Sequence, residues 1–284
     1  MPVERRGAMS LTEQQLESYR TQGFLRVEGV FSNDETDRLR RLVYRLYRKF
    51  QPDDGELDGV DAAWDDVRFD RKMIELRARN PRAFGALYDC AQNSIDVLRF
   101  VTDPGVREIA AQCLGDASEN LACSGIMYRM DPPKDDRNAI GWHQDRAYYP
   151  QNEDGNQGLV ATIALQDIVA DTGALVICPD SQRAGFVAPH TAGKADYEST
   201  EQKTVPAEQV DRYDQVHNEM NKGDVTVMNM NLFHRSGVNL GERIRYTALC
   251  RFHRILADDY VPFGLLYQFN DFLSGRIRKS RNEG

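Results

Sequence analysis

The segment GWHQDRAYY, residues 141–149, sets His143 and Asp145 two positions apart in a strand-like, aromatic-rich stretch of a 284-residue chain that holds only five histidines. Residues i and i+2 of a strand share a face, so one rigid element presents an imidazole and a carboxylate together. His234, in NLFHRSGVN, is the best partner for them, because it closes an apolar run and precedes a Ser-Gly turn. Two histidines and one carboxylate on a face of an octahedral Fe(II) leave three positions open, which suits a chelating cosubstrate and dioxygen. Zinc instead prefers four tetrahedral ligands. Eleven residues after His234, Arg245 lies on the next strand-like segment, ERIRYTALCRFH. Its guanidinium fork offers two parallel donors to a distal carboxylate of such a cosubstrate. An HxD pair alone arises by chance in many proteins; the second histidine and the arginine are what raise it above that background.

These residues need a scaffold, and the composition allows one. At 41% hydrophobic and 28% charged, the chain can bury the core of one large domain over residues 1–284. Its net charge of −8 argues against non-specific attraction to nucleic acid or to anionic lipid. Cys90, Cys113, Cys123, Cys178 and Cys250 form no CxxC and no ligand cluster, and their odd number suits a reducing compartment, with most of them as core thiols. The opening MPVERRGAMSLTEQQ carries no apolar h-region and runs such as LVATIAL are too short to span a bilayer, so the expected location is the cytoplasm, with no membrane partner.

Residues 10–117 read as a mainly helical flank. SLTEQQLESYRTQGF offers Ser10 and Thr12 as N-caps, Glu13 as a capping-box residue and Gly23 as a stop, and a short strand, FLRVEGV, follows. SNDETDRLRRLVYRLYRKF has Ser32 and Glu35 in capping-box spacing, an apolar stripe from Leu39 to Tyr47, and basic residues expected on its wet face. QPDDGELDGVDAAWDDVRFD reads as an acidic loop, after which helical periodicity returns. From residue 118 to 256 the pattern becomes short apolar runs separated by Gly, Pro, Asn and Asp, which predicts a β core built as a sandwich or closed double sheet. Within it, 183–222 reads as a long polar loop insertion of the kind that often forms lids, and 257–284 as a C-terminal extension.

Taken together, GWHQD, ALQDIVADTGALVICPDSQRAG, LFHRSGVN with its arginine at plus eleven, and the opening YRTQGFLRVEGVFSNDETDRLR resemble the phytanoyl-CoA dioxygenase family of Fe(II)- and 2-oxoglutarate-dependent oxygenases, over residues 11–256. The resemblance implies a mixed α/β fold with a mainly β core, a double-stranded β-helix (cupin-like jelly roll) flanked by N-terminal helices. It implies that His143, Asp145 and His234 ligate iron and that Arg245 pairs with the 2-oxoglutarate C5 carboxylate, assisted by Ser236. Gln144 matches a residue near the cosubstrate, although strand alternation turns it away from the ligands. Two positions depart from the family pattern: Arg235 stands where a small residue is usual, and Ile163 where a tryptophan is frequent. The implied chemistry is oxidative decarboxylation of 2-oxoglutarate by O2 to succinate and CO2, coupled to removal of a hydrogen atom from substrate, with hydroxylation the expected outcome. Retention of Asp145 argues against halogenation, since halogenase relatives replace this carboxylate with a small residue.

Alternation from Arg245 puts Thr247, Leu249, Arg251 and His253 on one face. Arg251, Arg235 and Arg146 are therefore candidates to meet an anionic substrate, with Tyr148 at the mouth of the site. The expected substrate is a small polar or anionic metabolite or natural-product intermediate. A jelly-roll protein that binds metal or metabolite without turnover, such as a sensor, is the alternative, and a zinc hydrolase a third.

Overall fold

The computed structural model describes residues 9–135, 139–152, 154–194 and 197–260, with the side chains of 191–201 outside that description. Of the expected C-terminal extension, 261–284 lies outside the described residues. The first part is helical: α1 (Glu13–Gln22), α2 (Asn33–Phe50), α3 (Val67–Arg79), α4 (Pro81–Gln92), α5 (Ile95–Val101) and α6 (Pro104–Leu114), with strand β1 (Phe24–Val27) after the first helix. Strands then dominate: β2 (Leu121–Asp131), β3 (Gly158–Ala164), β4 (Leu175–Ile177), β5 (His190–Lys194), β6 (Tyr197–Thr204), β7 (Val216–Asn218), β8 (Val225–Asn229), β9 (His234–Arg235) and β10 (Arg245–Arg254), with the short helix α7 (Ala207–Val210) between β6 and β7.

Local chemistry sets the helix ends. The box on α1 forms between Thr12 and Gln15, not through Glu13, while Ser32 and Glu35 close the box on α2 as expected. The acidic stretch after α2 is a loop only in part, since its last residues open α3 behind the N-cap Asp66. The basic face of α2 is not wholly wet. Arg40 is buried, paired with Asp65 and laid over the Tyr246 ring at 5.0 Å, because the turn before α3 supplies an anion partner and the sheet beneath an aromatic face.

An antiparallel five-stranded sheet in the order β1-β8-β3-β10-β2 and a three-stranded sheet in the order β7-β4-β9 form the two layers of a jelly roll, and β5 and β6 make a separate hairpin. Val160, Met228 and Leu249 of the large sheet meet Ile177 of the small one, so the sheets pack face to face. On its other face the large sheet turns Tyr128, Ile163, Val227, Tyr246, Ala248 and Phe252 into the main core, against Leu39, Val43, Phe69, Leu87, Val101 and Ile109 of the helices. Full burial of one such side chain stabilises by about 1.5–3 kcal/mol. The residues between, Thr162, Arg245, Thr247, Leu249 and Arg251, face the space between the sheets. Ile163 therefore belongs to the helix-facing core and bears on no pocket detail; Thr162 holds the inward position.

The predicted loop insertion 183–222 is more structured than its sequence suggests, containing the β5–β6 hairpin, α7 and β7. β7 escaped notice because only one of its three residues is buried, and that one is the polar Asn218. Among the described residues no helix is long and apolar enough to cross a membrane.

Candidate active site

Between the sheets lies a cavity of about 290 Å³ lined by His143, Asp145, His234, Arg245 and Arg251, among others. In place of the strand expected around the HxD pair, His143 forms an isolated antiparallel bridge with His234, and Asp145 opens a 3-10 turn that runs to Ala147. The two histidines exchange both backbone hydrogen bonds, His143 N to His234 O at 2.9 Å and His234 N to His143 O at 3.1 Å. Cross-strand partners of this kind stand side by side, and the ring centroids are 4.1 Å apart. The turn then carries the Asp145 carboxylate round to within 3.7 Å of His143 Nε2.

The imidazole tautomers follow from the hydrogen bonds. His143 Nδ1 lies 2.8 Å from the Gly141 carbonyl and His234 Nδ1 lies 2.9 Å from the Leu232 carbonyl. A carbonyl only accepts, so each Nδ1 carries the proton and each Nε2 lone pair is left for a metal. Burial, reinforced by neighbouring His234, pushes the His143 pKa down to about 3 and keeps the ring neutral. Burial raises the Asp145 pKa, but Arg251 and the two histidines outweigh it and hold the carboxyl down to about 2. Nδ1, Nε2 and carboxylate oxygens of the three residues include one atom from each that all lie within 4.8 Å of one another, and all three side chains are buried. Two imidazole nitrogens and one carboxylate, with the cavity on their open side, fit a divalent ion with exchangeable positions.

Arg251 reaches this cluster in a way the sequence did not announce. Its Nε and Nη2 donate to the two oxygens of Asp145 at 3.2 and 3.3 Å, and its Nη1 donates to the Gly125 carbonyl at 2.9 Å. The guanidinium also lies 4.2 Å from the Tyr149 ring centroid. It faces the cavity as strand alternation predicts, but it grips the ligand carboxylate. Tyr148 lines the mouth, edge-on to His143 at 5.8 Å, and its hydroxyl accepts from Lys203 N at 2.8 Å.

Toward the other end stand Arg245 and Ser236. Arg245 Nη2 donates to Asp131 at 2.6 Å, while its buried Nε has no partner. Ser236 lines the cavity and its hydroxyl accepts from Ile140 N at 3.1 Å. A Cβ on Gly173, at φ +89°, would come within 2.6 Å of Arg245 Nη1, so glycine there leaves room for the guanidinium.

Three expected residues fall elsewhere. Gln144 turns away from the cavity. Its Nε2 donates to the carbonyls of Gly185 and Asn231, both at 2.7 Å, and its Oε1 accepts from Val187 N at 2.9 Å, so its amide ties three loops together. Arg235 stacks over Trp142 at 5.3 Å and Arg146 over Phe186 at 5.2 Å, and neither lines the cavity; Arg235 alternates with the inward His234 and Ser236, and the 3-10 turn carries Arg146 outward. Sequence reading missed Arg129, Asn218 and Gln202, which do line it. Alternation along GIMYRMD, which sends Met127, Arg129 and Asp131 to one face, was the available signal for the first; no pattern marks the other two.

A model of the phytanoyl-CoA dioxygenase family matches residues 19–247. Among solved structures, EvdO2 from Micromonospora carbonacea var. aurantiaca, complexed with 2-oxoglutarate, is 19% identical with a TM-score of 0.56, covering 90% of this chain and 97% of its own. The epimerase SnoN in complex with Fe3+, alpha ketoglutarate and nogalamycin RO is 18% identical with a TM-score of 0.56, covering 91% and 89%. EctD from S. alaskensis, with 2-oxoglutarate and 5-hydroxyectoine, is 18% identical with a TM-score of 0.55, covering 89% and 82%. At these identities the likeness is one of fold. No curated protein matches the sequence.

Proposed function

The chain belongs to the phytanoyl-CoA dioxygenase family and is an Fe(II)- and 2-oxoglutarate-dependent oxygenase, and from that premise we propose that His143, Asp145 and His234 hold its iron, that Arg245 with Ser236 receives the distal carboxylate of 2-oxoglutarate, and that the reaction hydroxylates an unactivated C–H bond of a small polar or anionic metabolite or natural-product intermediate. Iron at this site, with 2-oxoglutarate and O2, supplies C–H oxidation with release of succinate and CO2. The observation that carries the reading is the pair of cross-strand histidines whose imidazoles converge with the Asp145 carboxylate at one part of a cavity that also contains a buried arginine with an unpartnered Nε.

The protein's part is geometry and charge. The Gly141 and Leu232 carbonyls fix the two imidazoles and Arg251 fixes the Asp145 carboxylate, so the three donors hold their directions before a metal arrives. Arg245 accepts a carboxylate with little reorganisation because its guanidinium is already seated between Asp131 and Gly173. Met127, Val160, Met228 and Leu249 supply apolar wall that excludes water from the reacting region. Support for a polar substrate moves from Arg146 and Arg235, which stand outside the cavity, to Gln202 and Tyr148, which line it. The bound 5-hydroxyectoine and nogalamycin RO of the fold neighbours fit that substrate range.

Anaerobic titration with Fe(II) and 2-oxoglutarate tests the assignment through the weak visible charge-transfer band of the chelate. Wild type gives a saturable band, and Arg245→Ala requires roughly thirtyfold more cosubstrate or beyond, as expected for truncating one partner of a buried charge pair. A folded wild-type protein with no band, or an Arg245→Ala titration that overlays it, sinks the assignment.

A further inference from the structure

An arginine that must meet a carboxylate in a dry cavity needs its own direction fixed, and the neighbouring strand supplies the means. In the register of β10 with β2, Arg245 stands opposite Asp131 and Thr247 opposite Arg129. Asp131 is 5% exposed and sits between the two guanidinium groups. Its Oδ2 accepts from Arg245 Nη2 at 2.6 Å and from Arg129 Nε at 3.1 Å, and its Oδ1 accepts from Arg129 Nη2 at 3.2 Å. Arg129 thus holds the carboxylate at two points, which fixes its plane. The main chain is held as well, since the Asp131 carbonyl accepts from Asn239 Nδ2 at 3.0 Å.

One feature of this arrangement points to a ligand: Arg245 lines the cavity and is tethered through Nη2 alone, while its buried Nε has no partner. A tail carboxylate can answer that guanidinium; an uncharged tail of the same length cannot.

We propose that Asp131, gripped by Arg129, is a positioning residue that presents Arg245 to the distal carboxylate of the cosubstrate. The inference rests on the reading that Arg245 receives 2-oxoglutarate. It goes further by assigning a favourable role to a carboxylate that simple charge repulsion would make a competitor.

The test compares 2-oxoglutarate with 2-oxopentanoate, which has a methyl group in place of the distal carboxylate. Iron-loaded wild type, Asp131→Asn and Arg129→Lys are titrated anaerobically with each acid, and the charge-transfer band gives the affinities. In Asp131→Asn, affinity for 2-oxoglutarate falls by about tenfold or more, while affinity for 2-oxopentanoate stays within about twofold, so discrimination between the acids shrinks. Arg129→Lys, which keeps the charge and gives up the two-point grip, shifts the ratio in the same direction by less, and carries the test alone should Asp131→Asn fail to fold. Unchanged or tighter 2-oxoglutarate binding in Asp131→Asn overturns the proposal, the tighter case because it makes Asp131 a competitor. A parallel loss for both acids overturns it too, since that marks a general distortion of the fold. If wild type shows a band and only the ratios fail to move, the reading of Arg245 stands and this inference falls; no band in wild type removes both.

Discussion

Two carboxylate–arginine pairs meet in the same cavity, and both arginines come from β10. Asp145 faces Arg251 at 3.2 Å and Asp131 faces Arg245 at 2.6 Å. At the first, Arg251 answers the Asp145 carboxylate and two imidazoles stand beside it, an arrangement of donor atoms that suits a cation. At the second, Arg129 and Arg245 both grip the Asp131 carboxylate, and Arg245 lines the cavity where an anion can meet it. The scaffolds differ in kind as well: Asp145 opens a 3-10 turn after an isolated bridge, whereas Asp131 stands opposite Arg245 at the end of the β2–β10 ladder. One site gathers donors from separate segments around a point, and the other aligns them along adjacent strands to meet a linear ligand.

The sharpest way to break this contrast is Asp145→Ala. It removes a ligand and leaves Arg251 buried without its anion, so iron retention after desalting and turnover, followed as succinate release, both fall to background; substantial activity would dissolve the distinction between the two ends. Arg251→Ala keeps all three ligands and frees the Asp145 carboxylate to rotate. Iron affinity, measured by chelator competition, drops roughly 10–100-fold, while 2-oxoglutarate affinity at saturating iron changes by less than about threefold. A larger cosubstrate effect would show that the ends are coupled.

Acid should separate them in a smaller, graded way. The buried His143 pKa is near 3 against an ordinary 6.5, so in metal-free protein the unfolded chain binds a proton that the folded one refuses. Its contribution to stability is intact above pH 6.5 and is lost as pH falls toward 3. For Asp131, burial raises the pKa but Arg129 and Arg245 prevail and hold it at about 2 against 3.8, so its contribution is lost only below about pH 3.8. Thermal unfolding of the apo protein across pH reads this order: His143→Ala flattens the decline that begins near pH 6.5, and Asp131→Asn does not. The smallest effect belongs to Arg235→Ala, which loses a stacking contact with Trp142 of about 0.5–1 kcal/mol and leaves iron and 2-oxoglutarate titrations unmoved. A shift in either titration would return Arg235 to the site.

His143, Asp145, His234 and Arg245 were readable in the sequence as residue types at a telling spacing, although the shared strand expected for His143 and Asp145 is an isolated bridge followed by a 3-10 turn. Strand alternation placed Thr247, Leu249 and Arg251 on the cavity face, and capping-box spacing placed Ser32 and Glu35 at the head of α2. Alternation did not say which partner an inward residue finds. Whether Arg251 meets a substrate or Asp145, whether Arg245 stands alone or against Asp131, and whether Arg235 turns in or lies on Trp142 depend on segments brought together from far along the chain. Gln144 shows the limit most clearly: its type suggested a ligand contact, and its three hydrogen bonds to distant backbone gave it a structural place instead. The sequence determined which groups are available and which face each occupies, since those follow from local backbone geometry; the tertiary structure decided the pairing of buried charges, because a charge removed from water takes the partner that the packed chain puts within reach.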